Sequence, residues 1–221
     1  MLEHRVELPP GFRPLASFHD YLRQGYYPFA GDSDYDQRLL AIIGKTLEVD
    51  IPQYAEMNAS MARKLKQLLA IISASVPFKP NMTTIGQTMG VSRNNVADYL
   101  LYIEEAGLIA QLRDDTGGIR GLGKVSKVYL DNTNLVYALA GQQADTGNVR
   151  ETFFFNQLRV EHDVVASPIA DFLIGGRTFE VGGRKKGQRQ IETAQEGYVV
   201  KDDIEYGFAN TVPLWAFGLT Y

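Results

Sequence analysis

Two carboxylates and a run of cations stand close together in Ala170 to Gln190, ADFLIGGRTFEVGGRKKGQRQ. Asp171 opens one apolar run and Glu180 lies in the next, with Gly175 and Gly176 between them as a tight turn. The segment reads as a β-hairpin, and period-two alternation decides which face of it each carboxylate occupies. Arg184, Lys185, Lys186 and Arg189 follow at once. Hard oxygen ligands a few ångströms apart, with a cation to activate water or steady the transition state, are what Mg2+-dependent phosphodiester cleavage requires. Asp171 and Glu180 are the candidate ligands, and Glu151 on a preceding helix is a candidate third. The plain alternative is a solvated hairpin with charged ends.

A second constellation lies upstream. GVSRNNVADYLLYIEEAGLI places Ser92, Arg93, Asn94 and Asn95 at the start of a helix, where side chains can face phosphates and base edges. Arg120 and Lys124, in the glycine-rich basic stretch DDTGGIRGLGK, would reach a nucleic-acid backbone. Asp98, Glu104 and Glu105 on the same helix would be repelled by phosphate, so a packing or protein-docking role stands beside DNA contact.

The elements that must position these groups fall into three segments. Residues 1–59 hold a helix from about Leu15 to Gln24, stopped by Gly25, and a second from Tyr35 to Ile51 with Leu39, Ile42, Ile43 and Leu47 at helical spacing. Residues 60–131 have the rhythm of a winged helix-turn-helix. A helix buries Leu65, Leu68, Leu69 and Ile72, and a short second helix ends at Gly90. A third is capped by Ser92, and strands follow at Leu108–Leu112 and Lys124–Leu130. Residues 132–221 switch to α/β. A helix starts near Asn148, strands run at Val164–Ser167, Asp171–Ile174, Thr178–Val181 and Tyr198–Lys201, and a last strand spans Val212–Gly218. The fold class expected is a mixed α and β chain of several units, α+β or α/β.

Composition narrows the setting. The 221 residues are 45% hydrophobic, enough for one sizeable core or two to three small ones. With no cysteine, disulfides and thiolate metal sites are excluded, which fits a reducing cytoplasm. No apolar run reaches membrane-spanning length and the N-terminus lacks a signal-peptide pattern, so a cytoplasmic protein is expected. Net charge is −4, yet residues 60–131 carry nine Lys and Arg against six Asp and Glu. His4, His19 and His162 are scattered, without metal-ligand spacing. The Phe153–Phe155 run and the tyrosines of the first segment read as core or interface.

Taken in order, YLRQGYYP with LLAIIGKTLEVDIP, then GVSRNNVADYLLYIEEAGLI, KVYLDNTNLVYAL and ADFLIGGRTFEVGGRKKGQRQI, the chain resembles the C-terminal region of prokaryotic AAA-type ATPases. In those proteins a P-loop domain is followed by a helical part, a winged helix and a PD-(D/E)XK nuclease-like domain of unknown function. The resemblance spans nearly all of the chain. It implies a region that binds nucleic acid or a partner, with the absent ATPase domain as one partner and residues 1–59 as a remnant of that module's lid. It also implies two alternatives, an active Mg2+-dependent DNA endonuclease or a purely protein-protein interaction module. For cleavage it implies Asp171, Glu180 and Lys185 as catalytic residues and Asp171, Glu180 and Glu151 as metal ligands.

Two departures bound this. No G-x-x-x-x-G-K-[ST] loop occurs, so ATP is expected only through a P-loop domain outside these residues. The nuclease pattern's lysine, two residues after the second carboxylate, is replaced by Gly182. Lys185, Lys186 or Arg184 must then supply the cation, or the site is degenerate.

Overall fold

The computed structural model describes residues 8–74, 77–116 and 123–219. The fold is mixed α and β. Helix α1 (Pro14–Gln24) starts on Pro14, whose fixed φ suits a first turn and whose missing N–H is not needed there. It turns Phe18 and Leu22 inward. Helix α2 (Tyr35–Lys45) runs through one π-helical turn, Thr46–Asp50, into α3 (Ile51–Tyr54). Together they bury Tyr35, Leu39, Ile43, Leu47 and Ile51, while Ile42 stays on the solvent side.

Helix α4 (Ala59–Ser73) is capped by Asn58 and buries Leu65, Leu68, Leu69 and Ile72 as the spacing predicts. Helix α5 (Met82–Met89) ends at Gly90 in the left-handed region, φ +64°, where a Cβ would be strained. Helix α6 (Arg93–Glu105) opens on Ser92, which accepts the Asn95 N–H at 3.1 Å. Strands β1 (Ile109–Arg113) and β2 (Val125–Leu130) pair antiparallel with Leu112 opposite Lys127. Phe78 adds a bridge to the outer side of β2 through two backbone bonds with Val128, 3.0 and 2.7 Å.

The expected boundary at 131/132 falls inside a buried turn. Asp131, Asn132, Thr133 and Asn134 are all sequestered, and Asn132 caps a helix that the sequence reading does not contain, α7 (Thr133–Ala140). Asn134 uses its whole amide. It accepts from the Tyr26 N–H and the Tyr35 hydroxyl at 2.9 and 2.6 Å, and donates to the Tyr21 and Leu22 carbonyls at 3.1 and 2.9 Å. Residues 21–35 are therefore fastened to the centre of the chain, and one hydrophobic core runs from Phe18 to Phe217.

Helix α8 (Thr146–Leu158) begins two residues before the expected Asn148, because Asp145 is its cap. It is buried on most of its circumference. Phe153 packs on Phe18 of α1, while Phe154 packs on Phe172, Phe179 and Phe217. The second sheet runs β3 (Val164–Ala166), β4 (Phe172–Ile174), β5 (Arg177–Gly182), β6 (Gly197–Lys201) and β7 (Thr211–Pro213) in chain order. The first two pairings are antiparallel and the last two parallel. The strand expected over Val212–Gly218 stops at Pro213. The chain then coils as a 3-10 turn, Leu214–Leu219, burying Leu214 and Phe217 at three-residue spacing. No helix of the described residues is long and apolar enough to cross a membrane.

Candidate functional site

The hairpin forms as its glycines dictate. Gly175 and Gly176 both take positive φ, +54° and +83°, and join β4 to β5 with Ile174 opposite Arg177. Asp171 stands one residue ahead of β4. Its N–H donates to the Phe179 carbonyl at 3.2 Å, and its Oδ2 accepts the Val181 N–H at 3.0 Å. The carboxylate is thus laid along the β5 backbone that carries Glu180. Glu180 is almost fully buried, 1% exposed, in a strand whose every residue from Thr178 to Val181 is covered.

Glu151 reaches the same place from α8. Lys127, from β2, lies between the two, with Nζ 3.1 Å from Glu151 Oε2 and 3.2 Å from Asp171 Oδ1. The Tyr129 hydroxyl, one pleat further along β2, donates to the same Glu151 Oε2 at 2.6 Å. The side chains of Lys127, Glu151 and Asp171 are only 15–17% exposed. A separate ion pair joins Glu180 Oε1 to Lys186, and Glu180 Oε2 is buried without a hydrogen-bond partner.

The electrostatics follow from burial. Desolvation and then the neighbouring Asp171 charge raise the Glu151 carboxyl above its ordinary range, against the pull of Lys127. Glu180 is raised by burial too, with Lys186 opposing and Asp171 reinforcing the shift. Burial alone would lower Lys127, but Glu151 and then Asp171 outweigh it and hold the ammonium charged. The Tyr129 hydroxyl is pushed up by burial beside Glu151 and stays protonated.

Lys186, rather than Lys185, brings the cation to Glu180, while Lys185 is exposed. Gly182 makes this possible. A Cβ there would come within 2.7 Å of Lys186 Cδ and Cγ and 2.9 Å of its Cβ, so the lysine stem lies over the glycine. Lys127 and Tyr129 escaped the sequence reading. Their one signal is a polar pair at i and i+2 on a single face of an otherwise apolar strand.

Glu151, Asp171 and Glu180 do not fit a divalent ion as arranged. The Lys127 ammonium already lies within hydrogen-bond distance of both Glu151 and Asp171, and Lys186 engages Glu180. Among the described residues, ligand atoms close to within 4.8 Å of one another at His19, Asp202 and Asp203 instead. There the Arg150 guanidinium sits 2.9 Å from Asp202 and 3.7 Å from Asp203.

At the second constellation, Ser92, Arg93 and Asn94 are exposed and Asn95 is partly covered. Ser92 is engaged as the cap. Lys124 is exposed at the base of the β1–β2 connection, and Arg120 lies outside the described residues. Asp98 and Glu105 are exposed on α6 as well.

Residues 15–146 match a family model described as a domain of unknown function, DUF8612, which is 132 of the 221 residues. The chain belongs to the DUF8612 family. The DUF8612 match includes Lys127, Tyr129 and the α6 constellation, and it ends at the first residue of α8. Glu151, Asp171 and Glu180 lie beyond it. No curated protein and no solved structure matches the chain.

Proposed function

We propose that this DUF8612 chain is a nucleic-acid-binding accessory region of an AAA-type ATPase, with a nuclease-like α/β part whose carboxylate cluster is charge-compensated by lysines. In this reading α4, α5, α6 and the β1–β2 pair form a winged helix, and α8 with the five-stranded sheet forms a degenerate PD-(D/E)XK-like unit. The single observation that carries the degenerate site is the Lys127 ammonium bridging Glu151 and Asp171. Arg93 and Asn94, exposed on the first turn of α6, are the groups that would meet DNA, with Lys124 reaching the backbone.

Duplex binding measured across a salt series tests this. A negative slope of log affinity against log salt is expected, reduced by about one for each phosphate contact removed in Arg93→Ala or Lys124→Ala. No binding at low salt would sink the nucleic-acid reading and leave a protein partner, including the ATPase module itself.

A second reading, an active Mg2+-dependent endonuclease, is favoured by Lys186 lying over Gly182 onto Glu180 and by the unpartnered Glu180 Oε2. That reading requires Lys127 and Lys186 to release Glu151, Asp171 and Glu180 before these carboxylates could hold an ion. Cleavage of a plasmid with Mg2+, lost in Asp171→Asn, would support that reading over ours.

A further inference from the structure

A buried pair of carboxylates cannot stay ionised side by side without a positive charge, and here the chain supplies one from another sheet. Lys127 shares its ammonium almost equally between Glu151 Oε2 and Asp171 Oδ1, 3.1 and 3.2 Å. Its backbone is held on one side by β1 and beside it by the two Phe78–Val128 bonds. The strand thus delivers the lysine stem to the cluster, and its Nζ is held there by the two carboxylates. Any free cation must compete with a group that is always present.

We infer that Lys127 is the resident cation of this cluster, replacing a divalent ion, and that removing its ammonium turns Glu151 and Asp171 into a divalent-cation site. The inference rests on reading α8 and the five-stranded sheet as nuclease-like, and goes beyond it by naming the residue that closes the site. Tyr129 supports the arrangement. Its neutral hydroxyl donates to Glu151 Oε2 and would do so with either cation. Lys186 is committed to Glu180, so it is not available to replace Lys127.

The probe is Mn2+ itself, followed by thermal melting and by electron paramagnetic resonance of free Mn2+. Wild type, Lys127→Met, Lys127→Gln and Lys127→Met/Asp171→Asn are compared. Wild type should neither retain Mn2+ nor change its melting temperature. Lys127→Met should melt lower, bind Mn2+ at least about tenfold more tightly than wild type, and regain part of its melting temperature when the ion is added. Lys127→Gln, which keeps a polar stem, should show the same Mn2+ gain, and the double variant should lose it. Mn2+ held by wild type and released in Asp171→Asn would overturn the inference, as would folded Lys127→Met and Lys127→Gln proteins with no Mn2+ response. If neither variant folds alone, Mn2+ present during refolding must rescue it, and failure to rescue also overturns the inference. None of these outcomes alters the salt-series result, so failure here is distinguishable from failure of the nucleic-acid reading.

Discussion

Lys127 Nζ lies 3.2 Å from Asp171 Oδ1, so a residue in the middle of β2 and one at the threshold of β4, 44 positions apart, share a mostly buried charge pair. The pair joins the two sheets electrostatically, beside the backbone bridge between Asp114 and Ala166. It also decides how the carboxylate cluster is read, because it puts the charge of the DUF8612 region inside the hairpin's site.

Breaking that pair from one side leaves a buried charge uncompensated. Lys127→Ala is expected to cost about 3–5 kcal/mol of stability. A double-mutant cycle of Lys127→Ala with Asp171→Asn should return a coupling of about 0.5–3 kcal/mol. Urea denaturation of the four proteins measures it, and additive losses would show that the ion pair contributes nothing of its own.

The raised carboxyls make a pH prediction. Glu151 and Glu180 are held above 4.5, chiefly by burial, so the folded chain binds their protons more tightly than the unfolded chain does. Their contribution to stability is full below 4.5 and is lost as pH rises through the raised values. Lys127 acts at the alkaline end. Held above 10.5, its contribution is full below 10.5 and is lost as pH climbs through the raised value. Glu180→Gln should therefore gain stability relative to wild type as pH rises from 4.5 towards neutrality, and a constant difference across that range would contradict the assignment.

Gly182 has a steric role that can be isolated. Gly182→Ala should cost about 1–3 kcal/mol by driving a methyl group into the Lys186 stem. In a Lys186→Gly background the whole stem, Cβ included, is gone and most of that cost should vanish. Equal cost in both backgrounds, read from melting curves, would mean that the glycine serves the backbone instead.

Asn134 carries the junction between the first helices and the rest of the chain. Asn134→Ala takes a partner from four polar groups at once, of which the Tyr21 carbonyl keeps the Gly25 N–H, and should cost about 3 kcal/mol or more, whereas Tyr35→Phe removes one partner and should cost about 1 kcal/mol. Comparable effects from the two substitutions would place the fastening elsewhere.

The local elements were legible where short-range rules govern them. Gly175 and Gly176 specify the hairpin, Ser92 and Gly90 the ends of α6 and α5, and leucine spacing the buried face of α4. Glu151, Asp171 and Glu180 were legible as candidates, because helix and hairpin bring them together through near neighbours. Lys127 was not, since it arrives from a different sheet and strand alternation does not say what a half-buried lysine faces. Helix α7 was missed for a related reason. Its Asp-Asn-Thr-Asn start looks like a loop, and only the tertiary partners of Asn134 and the cap at Asn132 make it a buried helix entry. At Pro213, a run of apolar residues read as strand gave way to a 3-10 turn, which buries Leu214 and Phe217 on one side.

The most direct test of a lysine-compensated cluster is calorimetric titration of the wild-type chain with Mn2+ near neutral pH. The account predicts no binding heat attributable to the cluster, with the Asp171→Asn protein giving the same trace. Stoichiometric Mn2+ binding that disappears in Asp171→Asn would contradict it and restore the hairpin as a metal-dependent catalytic site.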